Sequence, residues 1–178
     1  MSRSAPFLRP QDLVVTLAIH ALGEDTWTYA TLAARLGLSD SHAHAGVHRA
    51  ARSHLLDVRA RRVRAHNVME FLEHGVRYAF PVEPGPFTRG VPTASSAPPL
   101  RSLLRSDPAA TLVWPYLDGT TTGQSVTPLY AAVPSVVLQQ PTLYELLALV
   151  DALRLGGARE RQVAVVELRK RLGVSYGG

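Results

Sequence analysis

Between positions 49 and 64 stand six arginines, Arg49, Arg52, Arg59, Arg61, Arg62 and Arg64, against one acid, Asp57. A guanidinium is planar, always charged, and carries its donors in a fork that matches phosphate oxygens and the acceptor edge of guanine. Just ahead lie Ser41, His42, His44 and His48, whose hydroxyls and imidazoles suit base edges or phosphates. The chemistry these residue types share is recognition of a polyanion, with base reading added if a helix carries them into a groove.

The segment that must position them is YATLAARLGLS, Tyr29–Ser39. Thr28 is a good N-cap for a helix whose inner face is Tyr29, Leu32, Ala33 and Leu36. Ala33 is small enough for a close helix crossing. Gly37 suits the left-handed conformation of a sharp turn, and Leu38 plugs the junction. Ser39 or Asp40 then caps a third helix expected to run to about Leu56. Its inner positions are Ala43, Gly46 and Val47. A mid-helix glycine costs about 1 kcal/mol relative to alanine, so Gly46 implies either unusually close packing or a different register. Ser41, His42, His44, Ala45, His48, Arg49 and Arg52 are placed on the outward face. Arg59, Arg61, Arg62 and Arg64 suit phosphate contacts. Thr28 and Ser39, at the two helix starts, complete the candidate DNA-binding set.

Around this unit, Pro10 opens a first helix with apolar positions Leu13, Val14, Leu17, Ala18, Ala21 and Leu22, closed by Gly23. Gly23–Trp27 reads as a loop. Asp57–Arg64 is strand-like or irregular, and its lack of glycine, asparagine or proline argues against a full hairpin. Asn67 is expected to cap a fourth helix closed by Gly75, and Val76–Val82 reads as a short strand. Eleven of the thirteen prolines fall between Pro81 and Pro141, which disfavours long helices there. Thr111–Tyr116 is the best strand candidate, while Thr88–Pro99 reads as a segment that is mobile or wraps another surface. Helical period returns in Leu143–Leu155 and, after Gly156–Gly157, in Ala158–Leu172, with Val163, Val166 and Leu172 on its apolar side. The fold class expected is α+β, mainly α: a helix-turn-helix unit, a proline-rich β region and two C-terminal helices, divided as domains 1–75 and 76–178.

Composition narrows the function classes. The 178 residues are 46% hydrophobic with a formal net charge of +5, ordinary for a folded chain with a basic bias. Cysteine is absent, which excludes disulfides, thiol catalysis and thiolate metal sites. No apolar run reaches the ~18–20 residues of a membrane span, and the N-terminus lacks a signal-like apolar core, so a cytoplasmic protein without a membrane role is expected. His44 and His48 are four apart and offer two metal ligands, one short of a site. Histidine charge near neutral pH would also tune phosphate affinity. Ser95, Ser96 and His74 lack any nucleophile-elbow context, and no phosphate-binding glycine loop occurs. Neither an enzyme nor a cofactor is expected. Trp114, Tyr116, Phe80 and Phe87 are read as a small core or the lining of an effector pocket.

Pro10–Gly75, chiefly through YATLAARLGLS, resembles the winged helix-turn-helix domains of bacterial MarR-like transcriptional regulators. The resemblance implies a homodimer on a pseudo-palindromic operator, with the third helix in the major groove. The remainder, through Tyr78-Ala-Phe-Pro, Thr88-Arg-Gly-Val-Pro and LYELLALVDALRLGGARER, resembles small bacterial regulators encoded beside nucleotidyltransferase-like toxins. That implies an antitoxin with a toxin partner and autoregulation. The expected function is therefore a DNA-binding repressor, with the antitoxin as alternative. Leu143–Leu172 is the expected dimer or partner surface, because its first helix is apolar nearly all round.

Overall fold

The computed structural model describes residues 7–23, 27–105 and 110–175. Three helices open the chain: α1 (Pro10–Leu22), α2 (Tyr29–Leu36) and α3 (Asp40–Arg52). Their ends follow from the sequence. The Thr28 hydroxyl accepts from the Thr31 amide at 3.1 Å, and Thr31 Oγ1 accepts from the Thr28 amide at 2.7 Å. Gly37 takes φ 63°, ψ 35°, the left-handed turn, and Ser39 Oγ accepts from the His42 amide. Glu24–Thr26 of the expected loop lie outside the described residues.

Leu32, Ala33, Leu36, Ala43, Val47 and Ala50 are buried with Leu13, Val14, Leu17 and Ala18 of α1. A Cβ on Gly46 would sit 3.3 Å from both Asp12 Oδ1 and Val15 Cγ2. The glycine therefore serves close packing of α3 on α1, and the expected register holds. The helix does not reach Leu56. It stops at Arg52 because His54 turns the chain at φ 60°, the His54 and Leu55 amides capping the Ala51 and Ala50 carbonyls.

A minimal hairpin follows, β1 (Leu56–Asp57) and β2 (Arg62–Val63), antiparallel, with Leu56 opposite Val63 and Asp57 opposite Arg62. The missing turn residue is supplied by Asp57, whose Oδ1 accepts from the Ala60 amide at 2.9 Å, an Asx-type turn. Arg61 takes the left-handed φ of 52°. The next helix, α4 (Ala65–His74), begins before Asn67, so Asn67 does not cap it. Its Nδ2 donates to the His54 carbonyl at 2.7 Å instead, tying α4 to the end of α3. The strand expected at Val76–Val82 is a single helical turn, α5 (Val76–Ala79). The Gly75 carbonyl accepts from the Tyr78 and Ala79 amides, and Phe80 folds back edge-on to Phe71 at 5.9 Å.

The proline-rich middle supplies β3 (Phe87–Pro92), a 3-10 turn at Ala94–Ser96, α6 (Leu100–Leu103), β4 (Leu112–Pro115), β5 (Thr121–Ser125) and α7 (Val133–Val137). The expected strand at Thr111–Tyr116 is β4. Thr88–Pro92 is strand as well, not a wrapping segment. β3 runs antiparallel to both β4 and β5, which pair in parallel, so three short strands close on themselves. Closure this tight needs glycine: a Cβ on Gly90 would lie 2.0 Å from the Trp114 carbonyl oxygen.

The last two helices are α8 (Pro141–Leu155) and α9 (Ala158–Leu172). α8 is buried from Leu146 through Leu153, with α1, α4, α5, α7, α9 and the 3-10 turn around it. The chain itself thus covers its apolar circumference, which removes the argument for α8 as an oligomer surface. One cluster of buried residues runs from Leu13 to Val174, so both halves share a core. On α9 the buried stripe is Ala164, Leu168 and Leu172, while Val166 faces outward, contrary to expectation. Asp151 is buried in the middle of α8. It accepts from Thr93 Oγ1 at 2.9 Å, Trp114 Nε1 at 2.6 Å and Arg154 Nη1 at 2.7 Å. Burial pushes its carboxyl above the ordinary range, against the pull of these partners. The chain is mainly helical α+β, and no described helix is long and apolar enough to cross a membrane.

Candidate nucleic-acid interface

The outer side of α3 carries Ser41, His42, His44 and Arg52 exposed, with Ala45 and His48 half-buried. Ser39 organises its start. Its hydroxyl caps the helix and lies 2.8 Å from His42 Nδ1 and 3.0 Å from Ser41 Oγ. Ser39 and Thr28 are thus engaged as caps, although both remain exposed. This leaves a short run of small and imidazole-bearing residues on a helix braced from behind by α1 and α2.

Arg49, expected outward, is turned inward. Its Nε donates to Asp12 Oδ2 at 2.8 Å and its Nη2 to Asp12 Oδ1 at 2.7 Å. The Asp12 side chain is fully buried and the Arg49 side chain is 12% exposed. Asp12 also accepts from the Arg9 amide at 2.8 Å, capping α1. A buried carboxylate requires such a partner, and hydrogen bonding to Asp12 raises the Arg49 pKa. Arg49 therefore fixes the α1–α3 crossing and is not a free base-reading group.

Arg61 is likewise committed. Its guanidinium lies 4.8 Å from the Trp27 ring centroid and donates to the Trp27 carbonyl, while Trp27 Nε1 donates back to the Arg61 carbonyl at 2.9 Å. This clasp fastens the hairpin to the segment before α2. From Trp27 a row of rings crosses to α3. Tyr29 is 5.7 Å from Trp27, His44 is 4.8 Å from Tyr29, and His48 is 4.2 Å from His44. Burial, then the charges of His44 and Arg52, lower the His48 pKa. Two histidines share this row, but among the described residues no three metal-ligating side chains converge.

Arg59, Arg62 and Arg64 are exposed on and beside the hairpin. Arg64 is 3.4 Å from Asp57 in an exposed pair, worth little in water. The Ala60 amide, more than Arg64, holds the Asp57 carboxyl below its usual value. Among the described residues the Arg59 and Arg62 guanidinium groups have no hydrogen-bond or ion-pair partner. Together with Arg52, they are the cations of the expected set best placed to meet phosphate.

Sequence reasoning missed the supports of this surface. Tyr130 Oη donates to the Gly37 carbonyl at 3.1 Å, and Gln140 Nε2 to the Arg35 carbonyl at 3.0 Å. The turn between α2 and α3 is thus held from the C-terminal half. Asp12 and Trp27 were missed too, and no local signal links either to a partner more than thirty residues away. The four aromatics of the middle region, read as a small core or a pocket lining, do not come together in one place. Trp114 is buried on Asp151, Phe80 packs on Phe71 and Phe87 is exposed. No protein-family model, curated protein or solved structure matches this chain.

Proposed function

We propose that this protein binds double-stranded DNA through α3 and the hairpin, as a transcriptional regulator of the winged helix-turn-helix kind. One observation carries the reading: the helix after a tight left-handed turn exposes Ser41, His42, His44 and Arg52, and the hairpin that follows it exposes Arg59, Arg62 and Arg64. In this reading α3 enters the major groove and reads base edges with Ser41, His42, His44 and Arg52. Arg59, Arg62 and Arg64 grip flanking phosphates and make affinity fall with salt. Repression as a homodimer is part of the proposal, since each chain presents one α3 and a pseudo-palindrome offers two half-sites.

The test is an anisotropy titration of the full chain against its own upstream DNA and a scrambled duplex, at two salt concentrations. Promoter-selective binding, weakened by Arg52→Ala and made less salt-dependent by Arg59→Ala/Arg62→Ala, supports the reading. Equal weak binding to both duplexes, or binding untouched by these exposed substitutions, rejects it.

A further inference from the structure

A groove of about 950 Å³ runs between α9, the end of α4 and α5, and none of its lining residues belongs to α3 or the hairpin. Its walls include Leu153, Val163, Val166 and Tyr78, the tyrosine 74% exposed. Arg77 and Arg161 also line it. Neither has a carboxylate partner among the described residues. The Arg77 guanidinium lies 5.3 Å from the Tyr78 ring centroid, and Arg161 Nη1 donates to the Gly156 carbonyl at 2.6 Å. Glu73, the acid lining the groove, is already bound to Arg169 at 2.6 Å. The groove thus joins apolar walls to guanidinium charge without a matching carboxylate.

We propose that this groove is a binding site for a small amphiphilic carboxylate. Its apolar body lies along Val163, Val166 and Tyr78, and its carboxylate meets Arg77 and Arg161. Charge complementarity selects the anion, because guanidinium pairs a carboxylate through two parallel donors. Size selects a small molecule. The volume falls within the roughly 300–1,000 Å³ of ligand sites. Along α9 the lining runs from Ala158 to Val166, about 12 Å at helical rise, whereas a stable protein interface uses about 20–30 residues a side. A second copy is disfavoured, since a two-fold contact here would gather Arg77 and Arg161 of both chains into one interface without a matching carboxylate. The inference stands whether or not the chain binds DNA.

The test is calorimetric titration of the full chain with octanoate, below its micelle concentration, and with 1-octanol as the neutral isostere. Octanoate is expected to bind once per chain, and 1-octanol at least tenfold more weakly. Arg77→Gln, at a side chain whose contact is its own neighbour, is expected to weaken octanoate about tenfold without shifting the melting temperature. Val166→Glu, on the exposed side of α9, is expected to abolish binding. Equal affinity for the two probes, no binding of octanoate, or indifference to both substitutions overturns the proposal. So does a concentration-dependent dimer in sedimentation that Val166→Glu dissociates, since the groove would then belong to a second copy.

Discussion

Arg49 of α3 grips the fully buried carboxylate of Asp12 in the first turn of α1 with two hydrogen bonds of 2.7 and 2.8 Å. Removing the guanidinium leaves a charge in the core with one backbone amide for company. Breaking a buried pair from one side costs about 3–5 kcal/mol. Arg49→Ala is therefore expected to lower the urea midpoint strongly, and any loss of DNA affinity in that variant would report unfolding. An unchanged midpoint would show that the pair does not hold α1 to α3.

The clasp between Arg61 and Trp27 makes a separate prediction. Arg61→Gly keeps the left-handed backbone available but removes the cation–π contact and the bond to the Trp27 carbonyl. The hairpin should loosen, with faster amide exchange at Leu56 and Val63 and a loss of about 1 kcal/mol. Exchange equal to the parent chain would count against the clasp as the hairpin's anchor.

His48 gives the chain a pH dependence of known sign. Its pKa is lowered from the ordinary 6.5 by burial and by His44 and Arg52, so the unfolded chain takes up the proton first as pH falls. The contribution of His48 to stability is complete above about pH 6.5 and shrinks below it, toward the depressed folded value. Melting temperatures measured from about pH 7 down to 5.5 should fall, and the fall should be shallower in His48→Gln. Under the proposed function, phosphate affinity rises as His48 gains its proton. DNA affinity unchanged from about pH 7 down to 5.5 would argue against that role.

Asp151 joins α8 to the strand region through Thr93 and Trp114 and pairs with Arg154 one turn on in the same helix, and the Arg154 side chain is only 5% exposed. Asp151→Asn leaves that guanidinium without its counter-charge and is expected to cost about 3–5 kcal/mol in denaturant unfolding. Trp114→Phe removes one donor to the same carboxylate, and about 1–3 kcal/mol is expected for the lost hydrogen bond. A cost for Asp151→Asn no larger than for Trp114→Phe would mean that the ion pair adds nothing beyond a hydrogen bond.

The sequence by itself determined the elements whose causes are local. Pro10, Thr28, Gly37 and Ser39 set helix ends by a fixed φ, hydroxyl caps and a left-handed turn within a few residues, and the 3.6-residue period placed α2, α8 and α9. The exposed part of the candidate surface was legible for the same reason: Ser41, His42, His44 and Arg52 lie opposite the apolar stripe of α3. Tertiary structure decided which arginines are free. Arg49 and Arg52 are equivalent in type and near in sequence, yet Arg49 meets Asp12 across 37 residues and Arg61 meets Trp27 across 34. A helical period says which way a residue points and nothing about what stands there. The same holds for α8, whose apolar girth signals burial without saying whether this chain or another supplies the cover. Its own α1, α5 and α9 supply it, because burying apolar surface is non-directional and takes whatever packing the whole chain makes available.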